Sequence, residues 1–272
     1  MSNINIANML KNSNSKFLKS LPCFAVKLIA KIIRQKELNH IINKYSEFEG
    51  VDFLPKVIDE LNVKIEIEGE KNLPDNGKCF FVANHPFGLL DGLILTSIVG
   101  EKYGKLKAIG NEVFMFVPNL KPMIADVKVF GKNSRKNIVE LEKVYASDVP
   151  ITHFPYGLVS RIHKLKIQDK SWNKSFITKA ISNQRDIVPI WFYGRNSSLF
   201  YTIYLIRNTF GIKTNLELML LPRELFRKRG KTIKVKIAKP IPYQELNKTL
   251  SHWEWAQKVR SMVYDIENSE SN

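Results

Sequence analysis

Cysteine is nearly absent from this chain: only Cys23 and Cys79 occur in 272 residues, and neither lies in a CxxC or metal-ligand spacing. No disulfide framework is needed, no metal site is expected, and the reducing cytoplasm is the natural compartment. Cys79 opens an apolar run with no base near it in sequence, so it reads as a small buried hydrophobe rather than a nucleophile. Low-complexity tracts and fixed-period repeats are also missing, which argues against solenoids and linker-rich arrays.

An apolar run long enough to cross a bilayer is lacking as well. Phe17, Leu21, Phe24, Leu28 and Ile32 recur at helical spacing, but Lys16, Lys19, Lys27, Lys31 and Arg34 interrupt them. That breaks the run well short of the roughly 20 residues a spanning helix requires. Lysines inside the apolar region and the want of a small-residue cleavage site also argue against a secretory signal. What remains is a basic amphipathic helix, suited either to a membrane surface or to packing against the protein's own core.

Acidic residues are few: 26 Asp and Glu stand against 42 Lys and Arg, a formal charge of +16. The imbalance is local, with 18 basic and 4 acidic residues between Ile151 and Pro240, and 8 basic and one acidic between Met1 and Tyr45. Such charge requires an anionic partner: nucleic acid, a membrane surface, an acidic carrier protein or a phosphorylated substrate. Zinc-ligand spacings, an RNP-like aromatic block and a G-x-x-G clamp are all missing, which disfavours nucleic acid.

What is present is alternation. Val63 to Ile67 has strand period, and strand-like runs follow at Cys79–Ala83, Lys128–Phe130, Pro150–Phe154, Ile187–Phe192, Leu216–Leu220 and Thr232–Ile237. Helical patterns lie between several of them, at Gly92–Val99, Lys136–Tyr145, Phe176–Ser182 and Phe200–Thr209, with an earlier one around Glu37 to Tyr45. The expected fold is α/β, a mixed central sheet with helices on both faces. A basic helical segment (1–55) would precede the main domain (56–272), which ends in a C-terminal helix.

The segment Phe80-Phe81-Val82-Ala83-Asn84-His85-Pro86-Phe87-Gly88-Leu89-Leu90-Asp91-Gly92 carries the chemistry. An apolar strand ends at Asn84, His85 follows, and Pro86 with Gly88 shapes the start of a helix. Asp91 lies near enough to fold back, accept a hydrogen bond from one imidazole nitrogen and leave the other nitrogen as a base. A loop histidine beside a helix-capping aspartate would show the same local pattern.

These residues resemble the first motif of the glycerophosphate and lysophosphatidate acyltransferase family, Asn-His, four residues, then Asp. Five residues separate His85 from Asp91 here, so a loop or bulge at Gly88 must restore the pairing. The segment is similar to a bacterial form of the family, His-Pro-x-Gly-Gly-x-Asp, with Leu89 in place of the second glycine. Phe154-Pro155-Tyr156-Gly157 resembles the Phe-Pro-Glu-Gly block, with Tyr156 for the glutamate, and Ile187-Val188-Pro189-Ile190 resembles the fourth block. Gly110 to Phe116 matches the second block poorly and lacks the arginine that contacts the acceptor phosphate, leaving the acceptor's identity open.

The resemblance implies acyl transfer from a thioester of acyl carrier protein or coenzyme A to the hydroxyl of a lysophospholipid-like acceptor. His85 would be the general base and Asp91 its orienting partner, with no cofactor. Asn84, Gly88, Gly157, Arg161 and Arg195 complete the expected substrate-binding set, the glycines near oxyanion donors and the arginines as anion clamps. An N-acyl amino-acid lipid is the alternative acceptor, and a non-enzymatic basic protein binding lipid or nucleic acid is the reading from another class. The enzyme is expected on the cytoplasmic face of an anionic membrane, as a peripheral protein.

Overall fold

The computed structural model describes residues 4–12, 19–111, 117–127 and 135–268. Four helices come first: α1 (Ile6–Lys11), α2 (Cys23–Ile32), α3 (Gln35–Lys44) and α4 (Phe53–Glu60). The order is then β1 (Lys64–Glu68), β2 (Cys79–Ala83), α5 (Leu89–Tyr103), β3 (Lys107–Asn111), β4 (Ile124–Val127), α6 (Arg135–Ala146) and β5 (Ile151–His153). A hairpin, β6 (Arg161–His163) and β7 (Lys166–Gln168), leads to α7 (Ser175–Asn183), β8 (Asp186–Phe192), α8 (Ser198–Thr209), α9 (Leu221–Arg227), β9 (Thr232–Ile237) and α10 (His252–Asn268).

Seven strands form one sheet in the order β1-β9-β8-β2-β5-β3-β4. Only β8 and β9 pair antiparallel, so the sheet is mixed, as expected. All five residues of β2 are buried because the strand lies at mid-sheet with cover on both faces. Phe81 and Ala83 point into one core with α4 and α5, while Phe80 and Val82 point into another with α7 and α10. The period of two within an unbroken apolar run thus supplies both layers, and parallel neighbours bring the C-terminal ends of β2 and β5 together.

Three expectations need correction, and a fourth cannot be compared. Leu216–Leu220 is a 3-10 turn rather than a strand, since Leu216 faces outward, Glu217 is buried as a counter-ion, and Pro222 follows in the first turn of α9. A short apolar run has no period by which to separate strand from helix. The division at residue 55 falls inside α4, whose Phe53, Leu54, Val57 and Ile58 belong to the main core; Pro55 stands in the first helical turn, where proline is tolerated. Ile32, expected on the membrane-facing stripe, packs instead against the cluster of Val159, Phe200, Tyr201 and Leu220. The Lys128–Phe130 strand and Phe17 lie outside the described residues. No helix among the described residues is long and apolar enough to cross a membrane.

Candidate active site

The chain turns sharply after β2, and side chains hold the turn where the strand ladder stops. Asn84 donates from Nδ2 to the Phe192 carbonyl at 3.0 Å and accepts from the Phe192 amide at 2.8 Å, locking the end of β2 to the end of β8. Expected among the substrate contacts, Asn84 is buried and structural. His85 comes next. Its carbonyl accepts from the Ser160 amide at 2.8 Å, and its imidazole stacks on Phe154 with ring centroids 3.9 Å apart. The Phe-Pro block therefore sits directly against the histidine.

Asp91 lies in the first turn of α5, where a carboxylate meets the positive end of the helix. Its Oδ2 accepts from the amides of Phe87 at 2.9 Å and Gly88 at 3.3 Å, and its Oδ1 accepts from Gly92 at 2.9 Å. The same Oδ1 stands 3.1 Å from His85 Nδ1, a polar contact that lies off the axis of an ideal hydrogen bond. Asp91 thus caps the helix and orients the histidine at once. Nδ1 is enclosed against it, and Nε2 is the ring nitrogen on the side away from Asp91.

Gly88 absorbs the extra residue between His85 and Asp91. Its φ of +87° lies where side chains are disfavoured, and a Cβ there would meet Leu221 Cδ2 at 2.8 Å and Val159 Cγ2 at 2.9 Å. Gly88→Ala should destabilise the fold by about 1–3 kcal/mol and cut turnover by roughly tenfold or more through displacement of Asp91. Thermal melting and steady-state turnover check this, and a variant unchanged in both would refute the role.

Neither glycine donates to an oxyanion in this arrangement, contrary to expectation. The Gly88 amide faces Asp91, and the Gly157 amide donates to the Phe154 carbonyl at 2.9 Å within its own turn. Gly157, with φ +75°, serves turn geometry.

Arg161 also departs from expectation. Its side chain is only 2% exposed; Nε donates to Glu217 Oε1 at 3.1 Å, Nη1 donates to the carbonyl of Val159 at 2.5 Å, and Nη2 lies 3.0 Å from the same carboxylate. Glu217 binds Arg207 as well, at 2.5 Å, and Arg161 lies over the rings of Phe200 and Tyr204. A guanidinium enclosed this way has no free face for a substrate anion. Arg195 is exposed beyond β8. Its carbonyl accepts from Lys228 Nζ at 2.8 Å, and Lys228 lies 4.6 Å over the ring of Phe87. Burial lowers the Lys228 pKa; Glu224 opposes the shift, while Arg227, Arg195 and Lys231 add to it.

Sequence reasoning missed the carboxylate beneath the loop. Asp169 Oδ1 accepts from Ser160 Oγ at 2.6 Å and lies 3.4 Å from the His85 amide, while Oδ2 accepts from Trp172 Nε1 at 2.9 Å. Burial pushes its pKa up, opposed by those hydrogen bonds. Ser160 and Asp169 hold the His85 backbone from both sides. Their only sequence signal is proximity to the Phe-Pro block, because the hairpin between them is too short to show a period. His153 ends β5, enclosed, with its pKa lowered by burial to about 4, and its Nδ1 has no partner among the described residues.

A family profile described as acyltransferase matches residues 8–272. The chain is 40% identical over 264 residues to the lyso-glycine lipid O-acyltransferase of Phocaeicola vulgatus, covering 97% of this chain and 95% of that protein. It is 36% identical over 264 residues to the protein of the same description from Bacteroides thetaiotaomicron, covering 97% of each. Its fold is similar to the crystal structure of the 1-acyl-sn-glycerophosphate acyltransferase PlsC from Thermotoga maritima, with TM-score 0.50, 16% identity and coverage of 90% of this chain and 96% of that one.

Proposed function

This chain belongs to the acyltransferase family, of lysolipid type, and on that footing we propose that it moves a fatty acyl chain from an acyl thioester to the hydroxyl of a lyso-glycine lipid. The observation that carries the chemistry is the His85–Asp91 contact of 3.1 Å at the end of β2. Nε2 of His85 takes the proton of the acceptor hydroxyl as that oxygen attacks the thioester carbonyl. Asp91 stabilises the imidazolium that forms. Collapse of the tetrahedral adduct breaks the carbon–sulfur bond, and the departing thiolate takes the proton back from Nε2. Acceptor and donor exchange the acyl group without a covalent enzyme intermediate or a cofactor.

Two features favour a glycine-bearing acceptor over a lysophosphatidate. Both relatives of 36% and 40% identity are described as acting on lyso-glycine lipid. The stretch Gly110 to Phe116 also lacks the arginine expected to contact a phosphate. Glycine acylated on nitrogen keeps a carboxylate, for which Arg195 and Lys228 supply positive charge beside the His85 loop. The donor is the thioester of acyl carrier protein or coenzyme A, and the enzyme works as a peripheral protein on the cytoplasmic face of an anionic membrane. Helix α2 supports that location, since Phe24 (73% exposed) and Leu28 (56% exposed) share its outer face with Lys27 and Lys31.

The test is a comparison of acceptors with purified enzyme and one acyl thioester. An N-acylglycine with a free hydroxyl on its acyl chain should be acylated with kcat/KM at least about tenfold above that for lysophosphatidate, a difference of about 1.4 kcal/mol in transition-state binding. Equal or reversed preference would return the acceptor to the lysophospholipid class.

A further inference from the structure

Helix α8 is apolar on two sides, which a helix merely packed on a core need not be. Phe200, Tyr201 and Tyr204 face inward, while Leu199, Leu205, Ile206 and Phe210 form an outward stripe in which Phe210 is 76% exposed. The exposed apolar surface continues past the helix through Ile212 and Leu216.

This tip is braced. The Gly211 amide donates to the Asn208 carbonyl at 3.2 Å and the Ile212 amide to the Arg207 carbonyl at 2.8 Å, with Gly211 at φ +66°, the pattern of a Schellman cap. Arg207 then reaches across the turn, donating to the carbonyl of Ile212 at 3.1 Å and to Asn215 Oδ1 at 2.5 Å while paired with Glu217. Phe210 and Ile212 are therefore held outward by a built turn.

Charge identifies what covers them. From Ser198 to Lys231 the sequence has seven Lys and Arg against two Glu, and both Glu217 and Glu224 are buried, so the surface of this segment carries positive charge alone. Ile32 of α2 packs on the cluster that contains Phe200 and Tyr201, which sets α2 beside α8. An apolar projection on a segment whose surface charge is positive, next to a helix that mixes Phe and Leu with Lys on its outer face, matches an anionic bilayer rather than an acidic soluble protein.

We propose that the α8 tip, Ile206, Phe210, Ile212 and Leu216, is a second membrane-insertion element, entering the acyl boundary of an anionic leaflet beside α2. The motive rests on the lipid-acceptor reading, but the binding does not depend on turnover. Glu217 joins Arg207 of the tip to Arg161, which lies in the strand that follows the His85-stacked block, so the inserted tip and the active site share one rigid support.

The test uses the full chain and vesicles of phosphatidylglycerol and phosphatidylcholine without substrate. Phe210→Glu with Ile212→Glu should reduce the partition coefficient by roughly tenfold or more, since burying such side chains is worth at least one decade each. Ile138→Glu with Val139→Glu, also exposed but on α6, should change it less than about twofold. A Phe210→Trp variant should be quenched by lipids brominated on their acyl chains. Wild-type partitioning of the Phe210/Ile212 double variant would overturn the proposal. So would a dimer that the double variant converts to monomer with vesicle binding intact, which would give the tip to a second copy of the chain. Either failure leaves acyl transfer to a soluble short-chain acceptor unaffected, so it remains distinct from failure of the catalytic reading.

Discussion

His85→Ala is expected to lower acyl transfer by about 10²- to 10⁴-fold or more, because general-base assistance of that size disappears with the imidazole. The fold should survive. His85 is held mainly through its backbone, by Ser160 and Asp169, and its ring contributes a stack on Phe154 at the edge of the core. Melting within a few degrees of wild type alongside near-complete loss of turnover is the expected pair of observations. Asp91→Asn should differ: it weakens the hold on the imidazole and also disturbs a carboxylate that accepts three backbone amides, so it should cost about 1–3 kcal/mol of stability as well as activity. Wild-type turnover in either variant would remove the pair from catalysis.

The second large effect is on stability. Glu217 is fully buried and is the shared counter-ion of two arginines, Arg161 and Arg207, the first itself buried. Glu217→Ala leaves Arg161 enclosed without its counter-ion, and loss of one partner in such a pair costs about 3–5 kcal/mol. Arg161→Ala should cost less, because Arg207 still holds both oxygens of the Glu217 carboxylate and the main loss is the buried packing of the Arg161 side chain on Phe200 and Tyr204. Equilibrium denaturation measures both. A pure rise in the acceptor KM for Arg161→Ala, with unchanged stability, would instead support the anion clamp expected of that residue from its position after the Phe-Pro block.

That reversal shows where sequence reasoning reached its limit. The β2 run, the His85–Asp91 spacing and the need for Gly88 to bend the loop were legible, because each depends on residues adjacent in the chain. The helices at Phe176 and Phe200 and the strands at Ile187 and Thr232 were legible for the same reason, their periods being local. The partner of Arg161 lies at Glu217, in a segment whose leucines mimic a strand, and no local pattern links the two. Asp169 was invisible in the same way: its hydrogen bonds run to Ser160, Trp172 and the His85 backbone, contacts that exist only after the hairpin folds. Asn84 and the two glycines stood in the right motif, but their hydrogen bonds turn inward. Strands β3 and β4 and helix α4 were missed because their short runs carry too little period to separate from neighbouring turns.

The most direct measurement of the central claim is the lipid profile of the source organism with its chromosomal copy changed to His85→Ala, analysed by mass spectrometry beside wild type. The account predicts accumulation of the mono-acylated glycine lipid and loss of its di-acylated form, with phospholipid composition unchanged. An unaltered glycine-lipid profile, or accumulation of lysophosphatidate in its place, would contradict it.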